Sequence, residues 1–122
     1  MTVRLSSSQP TANLSIWLVE LPYEGGGDLI TRGWADPQNY RSLTRGEPLR
    51  RGEFYDVSFN LQPDDQIVPA GKKIGLMIMS SDRDFTLWPT RGTELDVDLN
   101  GTSLTLPVVG GAEAFQRALA SR

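Results

Sequence analysis

The chain has 122 residues, a net charge of −3, and neither cysteine nor histidine. That length supports one domain with a buried core, while the missing histidine removes the base that Ser-His-Asp and Cys-His centres need and, with cysteine, the usual ligands of zinc. The acidic balance argues against a nucleic-acid partner, and no apolar run approaches the roughly 20 residues that span a bilayer, which argues against a membrane one.

Hydropathy alternates mostly with period two between turn residues, which reads as all-β. Strands are expected over residues 3–7, 14–21, 29–35, 54–61, 73–80, 94–99 and 102–108, with breakers such as Asp36-Pro37, Pro63-Asp64-Asp65 and Pro69-Ala70-Gly71 between them. In LSIWLVEL, Trp17 reads as a core residue. In 54–61, Tyr55, Val57, Phe59 and Leu61 share one face and Asp56, Ser58 and Asn60 the other. The run KKIGLMIMSS is apolar on both faces, Ile74, Leu76 and Ile78 opposing Met77 and Met79. Such a strand is expected at the centre of a sheet, its methionines under a loop, a helix or a partner. In ELDVDLNGTSLTL, Asn100-Gly101 predicts a type I′ hairpin that sets Leu99 against Thr102, Val97 against Leu104 and Leu95 against Leu106. Residues 112–121 predict a short helix with Phe115, Ala118 and Leu119 on one side, which needs docking to persist. Two sheets packed face to face, a β-sandwich, accommodate these elements in a single domain over 1–122.

The stretch SSDRDFTLWP, residues 80–89, is the busiest in the chain. Read functionally, it is a contact loop in which Asp82, Arg83 and Asp84 offer charge and Phe85 and Trp88 offer ring surface. The plainer reading, favoured on sequence alone, is a turn whose aspartates cap backbone amides and whose aromatics return to the core. Asp82 with Asp84, Asp64 with Asp65, and Asp96 with Asp98 are candidate calcium oxygens without the spacing of an EF-hand loop, so no metal or other cofactor is expected. Trp34, Trp88, Tyr23 and Tyr40 could together make a sugar-stacking platform. Gly25-Gly26-Gly27 lacks the lysine and the following helix of a phosphate loop.

Three ordered blocks, ITRGWADPQN, LQPDDQIVPAGKKIGLMIMSSDRDFTLWP and GTELDVDLNGTSLTLPVVGG, resemble the C-terminal domain of the Xaa-Pro dipeptidyl-peptidases, a branch of the serine α/β-hydrolases. The likeness runs from about Asn13 to Gly111. The wider group includes cocaine esterase and α-amino-acid ester hydrolases, in which the position of Lys72 often holds histidine, so the peptidase branch fits better. The resemblance implies a galactose-binding-like jelly roll, here with seven expected strands where such folds have about eight. Further strands are therefore expected ahead of Met1, with a fragment's exposed edge open to self-association. It also implies that the catalytic triad lies in a preceding α/β-hydrolase domain, so no catalytic residue falls in this chain.

The expected function is accordingly a non-catalytic module that packs against that hydrolase domain and shapes access to its active site. Met77, Met79, Phe85 and Trp88 are the candidate contact residues, with Trp34 and Asp36 beside them. The alternative is a carbohydrate-binding jelly-roll module.

Overall fold

Apolar residues at alternate positions give the first strand, β1 (Thr2–Ser7), a buried face carrying Val3 and Leu5. A computed structural model describes residues 1–120. In it β1 is followed by β2 (Leu14–Leu21), β3 (Leu29–Ala35), β4 (Tyr55–Ser58), β5 (Lys73–Met79), β6 (Leu95–Ser103) and a C-terminal helix, α1 (Gly111–Ala120). The strands form two three-stranded antiparallel sheets, ordered β4-β1-β6 and β3-β2-β5.

The sheets meet across a core of Val3, Leu5, Leu14, Ile16 and Val57, with Phe59, Leu61, Ile78, Leu95 and Val97 packed around it. Both sheets are thus half-apolar, as a sandwich requires. The outer face of β4-β1-β6 is polar. There Arg4 bridges Asp56 at 3.1 Å and Asp98 at 3.3 Å. Residues 59–62 leave β4 and cover the edge of β3: Gln62 N donates to Arg32 O at 2.8 Å and Thr31 Oγ1 to Gln62 O at 2.6 Å. Gly33 permits this closeness, since a Cβ there would stand 2.8 Å from Leu61 Cδ2.

Several expectations are corrected. No hairpin forms at Asn100-Gly101; the segment belongs to β6, which pairs with β1. Ser103 lies opposite Thr2 and Asp98 opposite Arg4, so residues 99–102 bulge against Val3 alone. Asp98 holds the bulge, accepting at Oδ1 from the amides of Asn100 (3.0 Å) and Gly101 (3.3 Å), while Thr102 Oγ1 donates to Asp98 O and accepts from Arg4 N. A carboxylate two residues before the turn therefore competes with the turn itself. The strand expected over 102–108 shrinks to the end of β6, leaving six strands among the described residues.

β2, not β5, is the central strand of its sheet, and β5 is an edge. Trp17 is also outside the core, half-buried on the outer face of β2. The helix begins one residue early, at Gly111, and the last residues of its expected span are Ala120, which is helical, and Ser121, which lies outside the described residues. None of its residues is buried, and Phe115 and Leu119 remain about two-fifths exposed.

Candidate functional site

Strand register places a distinctive set of side chains on the outer face of β3-β2-β5. Ser15 lies opposite Trp34 and Met79, and Trp17 opposite Arg32 and Met77. Because cross-strand partners share a face, these six residues form one patch. An indole N–H on such a face needs an acceptor once it is covered. Loop 80–89 provides one in Asp82, which is only 7% exposed.

Asp82 Oδ2 accepts from Trp17 Nε1 at 2.9 Å, Trp34 Nε1 at 3.1 Å and Ser15 Oγ at 3.1 Å. The backbone of the same residue closes the loop. Its carbonyl accepts from the amides of Phe85 (3.0 Å) and Thr86 (2.8 Å), and Thr86 Oγ1 accepts from its amide at 3.0 Å. One residue thereby fastens a tight turn to two strands. Asn13 Nδ2 donates to Leu87 O and adds a second tether to the sheet.

Burial pushes the Asp82 carboxyl up, but donation from Trp17, Trp34 and Ser15, with the Arg32 charge nearby, outweighs this and leaves its pKa below the ordinary value. A depressed folded pKa contributes stability that is present above the unfolded value and lost as pH falls through the folded one. The melting temperature should therefore fall on acidification below about pH 4, and fall less steeply in Asp82→Asn. Asp28, lowered chiefly by donation from the Glu24 amide, titrates alike in both proteins, so the difference in slope isolates Asp82.

Held this way, the turn presents rings outward. Phe85 tilts against Trp34 with centroids 5.1 Å apart. The Arg32 guanidinium lies between rings, 4.5 Å from the Phe85 centroid and 5.2 Å from that of Trp17. Arg83 lies 5.5 Å from the Trp88 centroid. Phe85 is 56% and Trp88 73% exposed, so the aromatics do not return to the core as the plainer sequence reading expects. That reading treats the aspartates as local caps and overlooks the donors waiting on the strands.

Met77, Met79 and Trp34 thus share the patch, and Phe85 and Trp88 belong to the loop above it. Asp36 serves elsewhere: its carboxylate accepts from Gln38 N at 2.9 Å and from Gln38 Nε2, capping a 3-10 turn over Pro37–Asn39. Ser15, Trp17 and Arg32 join the site without having been singled out as contact residues, and Asp82, read as a contact charge or a backbone cap, instead holds the loop to the sheet. Their signal is parity: Ser15 and Trp17 alternate with buried Ile16 on one strand, and Arg32 and Trp34 stand across from them. The proposed sugar platform is dispersed, since Tyr40 packs edge-on against Tyr55 at 4.7 Å while Tyr23 stands beside Trp17. No group of three acidic, histidine or cysteine residues is placed to hold a metal among the described residues. Rings on a fastened turn suit contact with another surface rather than bond-making chemistry.

The family model for the X-Pro dipeptidyl-peptidase C-terminal non-catalytic domain matches residues 1–118. A protein of Rhodopirellula baltica bearing an Xaa-Pro dipeptidyl-peptidase name is 55% identical over 115 residues, covering 89% of this chain and 18% of that protein. A Bacillus anthracis protein with the same kind of name is 40% identical over 99 residues, 80% of this chain and 16% of its own length. The Xaa-Pro dipeptidyl-peptidase of Lactobacillus delbrueckii subsp. lactis is 41% identical over 78 residues, 64% of this chain and 10% of its own. The chain spans less than a fifth of the length of these relatives.

Proposed function

The chain belongs to the X-Pro dipeptidyl-peptidase C-terminal non-catalytic domain family, and on that premise we propose that it is an accessory module that packs against an α/β-hydrolase catalytic domain and shapes access to its active site. The parent activity in this reading is serine-type release of N-terminal Xaa-Pro dipeptides. Phe85 and Trp88 make the contact, with Met77, Met79 and Trp34 supporting them.

The observation that carries the reading is the exposure of Phe85 and Trp88 on a turn already fixed by Asp82. Large exposed rings mark contact surfaces, and a loop ordered in advance loses little entropy when it docks. A sugar-binding role is less well supported. Both nearby indole N–H groups are committed to Asp82, so the rings have few free polar neighbours to offer sugar hydroxyls.

Two assays test the proposal. The purified chain should release nothing from a chromogenic Gly-Pro substrate. In a full-length parent, the double substitution Phe85→Ala/Trp88→Ala should lower kcat/KM about tenfold, which corresponds to about 1.4 kcal/mol of transition-state stabilisation. Turnover by the isolated chain, or an unchanged kcat/KM in the double variant, would overturn it.

A further inference from the structure

The bulge at residues 99–102 contains a dipeptide with a chemistry of its own. The side-chain amide of an asparagine is open to attack by the backbone nitrogen of the residue that follows it. A side chain on that next residue obstructs the approach, and glycine has none. Asn13, Asn39 and Asn60 precede Leu14, Tyr40 and Leu61, whereas Asn100 precedes Gly101.

Packing explains why such a dipeptide stands here. Gly101 lies against the Arg4 side chain, and a Cβ on it would fall 2.2 Å from Arg4 Cδ and 3.0 Å from Arg4 Cβ. Arg4 is held there by Asp56 and Asp98, so no larger residue fits beside it. Asn100 is exposed, and its side-chain amide has no hydrogen-bond partner among the described residues.

The attacking nitrogen, by contrast, is tied down. Gly101 N donates to Asp98 Oδ1 at 3.3 Å, and Asn100 N donates to the same oxygen at 3.0 Å. Asp98 is itself fixed, by Arg4 Nε at 3.3 Å on its other oxygen and by Thr102 Oγ1 at 2.8 Å on its carbonyl. To reach Asn100 Cγ, Gly101 N must give up a hydrogen bond to a charged acceptor and swing against the packed arginine. Such bonds are among the stronger ones in proteins, so the step is slowed.

We propose that Asn100 is a latent deamidation site, held in check by the Asp98 carboxylate and released when that clamp opens. Gly101 N bonds to Asn100 Cγ and loses its proton to solvent, while the side-chain nitrogen takes one up and leaves as ammonia. Water then opens the cyclic imide to aspartate or isoaspartate, so that water is the one co-reactant. The isoaspartate product adds a methylene to the backbone inside the bulge. Either product sets a new carboxylate beside Asp98, whose partner Arg4 is already shared with Asp56. Like charges at that spacing repel, so the modification loosens the end of β6 from β1. The site lies on the β4-β1-β6 sheet, apart from the aromatic loop, and does not depend on the accessory role.

Peptide mapping by mass spectrometry, after incubation of the 122-residue chain at neutral pH, tests the proposal. A synthetic peptide of residues 96–103 serves as the unclamped reference. The peptide should convert at Asn100, and the folded chain should convert there about thirtyfold more slowly. Asp98→Ala, shown to be folded by circular dichroism, should recover most of the peptide's rate, with Asp98→Asn between the two. Isoaspartate should accompany aspartate wherever conversion occurs, as a cyclic intermediate requires. If Asp98→Ala does not fold, Asp98→Asn decides. A folded chain that converts at the peptide's rate, folded Asp98 variants as slow as the unsubstituted chain, or aspartate without isoaspartate would overturn the proposal.

Discussion

Asp82→Ala should destabilise the domain by about 3 kcal/mol, because it strands two indole N–H groups and a buried hydroxyl that now share one carboxylate oxygen. For a domain of this size that corresponds to a fall in melting temperature of about 10 °C. Asp82→Asn should cost less, about 2 kcal/mol, since it keeps an acceptor while losing the charge and turning an amide toward donors. Thermal melts at neutral pH distinguish these outcomes. A loss within experimental error of zero would mean that the three donors find other partners without cost. The same substitution should free the loop, because Asp82 also closes it through its own amide and carbonyl.

The second large effect is expected at Ile16. It is fully buried on the inner face of the central strand, between Gly33 on one neighbour and Ile78 on the other. Ile16→Ala removes three heavy-atom groups from the meeting point of both sheets and should cost about 4 kcal/mol, with Ile16→Val near 1 kcal/mol. Urea titration should show a lower midpoint with unchanged slope for both. Since domains are stable by roughly 5–15 kcal/mol, the alanine variant sits near the limit of folding. An Ile16→Ala effect as small as that of Ile16→Val would contradict the placement of the core.

Much of this architecture is legible from alternation alone. β2 and β3 occupy the expected residues, β1 and β5 differ by one residue at an end, and Tyr55 and Val57 face inward as their spacing implies. These strands read well because one face of each is buried, so a period of two is imposed on the sequence. Misreadings arise where a local signal competes with a distant one. Asn-Gly favours a hairpin in isolation, but β1 lies alongside and Asp98 ties down the two amides, so the dipeptide becomes a bulge. The apolar outer face of β5 suggests a strand covered on both sides, yet the same pattern fits an edge strand with methionines on an exposed patch. Hydropathy does not record what is missing from a neighbour.

The site was half visible for a similar reason. Phe85 and Trp88 announce themselves within ten residues of sequence, whereas the donors that fix their loop come from positions 15, 17 and 34. Asp82 looks like one acid among several until sheet register brings those donors together. Its importance is a property of the fold, recorded in sequence only as the parity of Ser15 and Trp17.

Amide hydrogen exchange around Trp88 tests the accessory role most directly, comparing the isolated 122-residue chain with a full-length parent. Docking of the aromatic loop on the catalytic domain predicts that the amides of Leu87, Trp88, Thr90 and Arg91 exchange at least about tenfold more slowly in the parent, each tenfold corresponding to about 1.4 kcal/mol of protection. Equal exchange in the two proteins would place the loop in solvent and contradict the assignment.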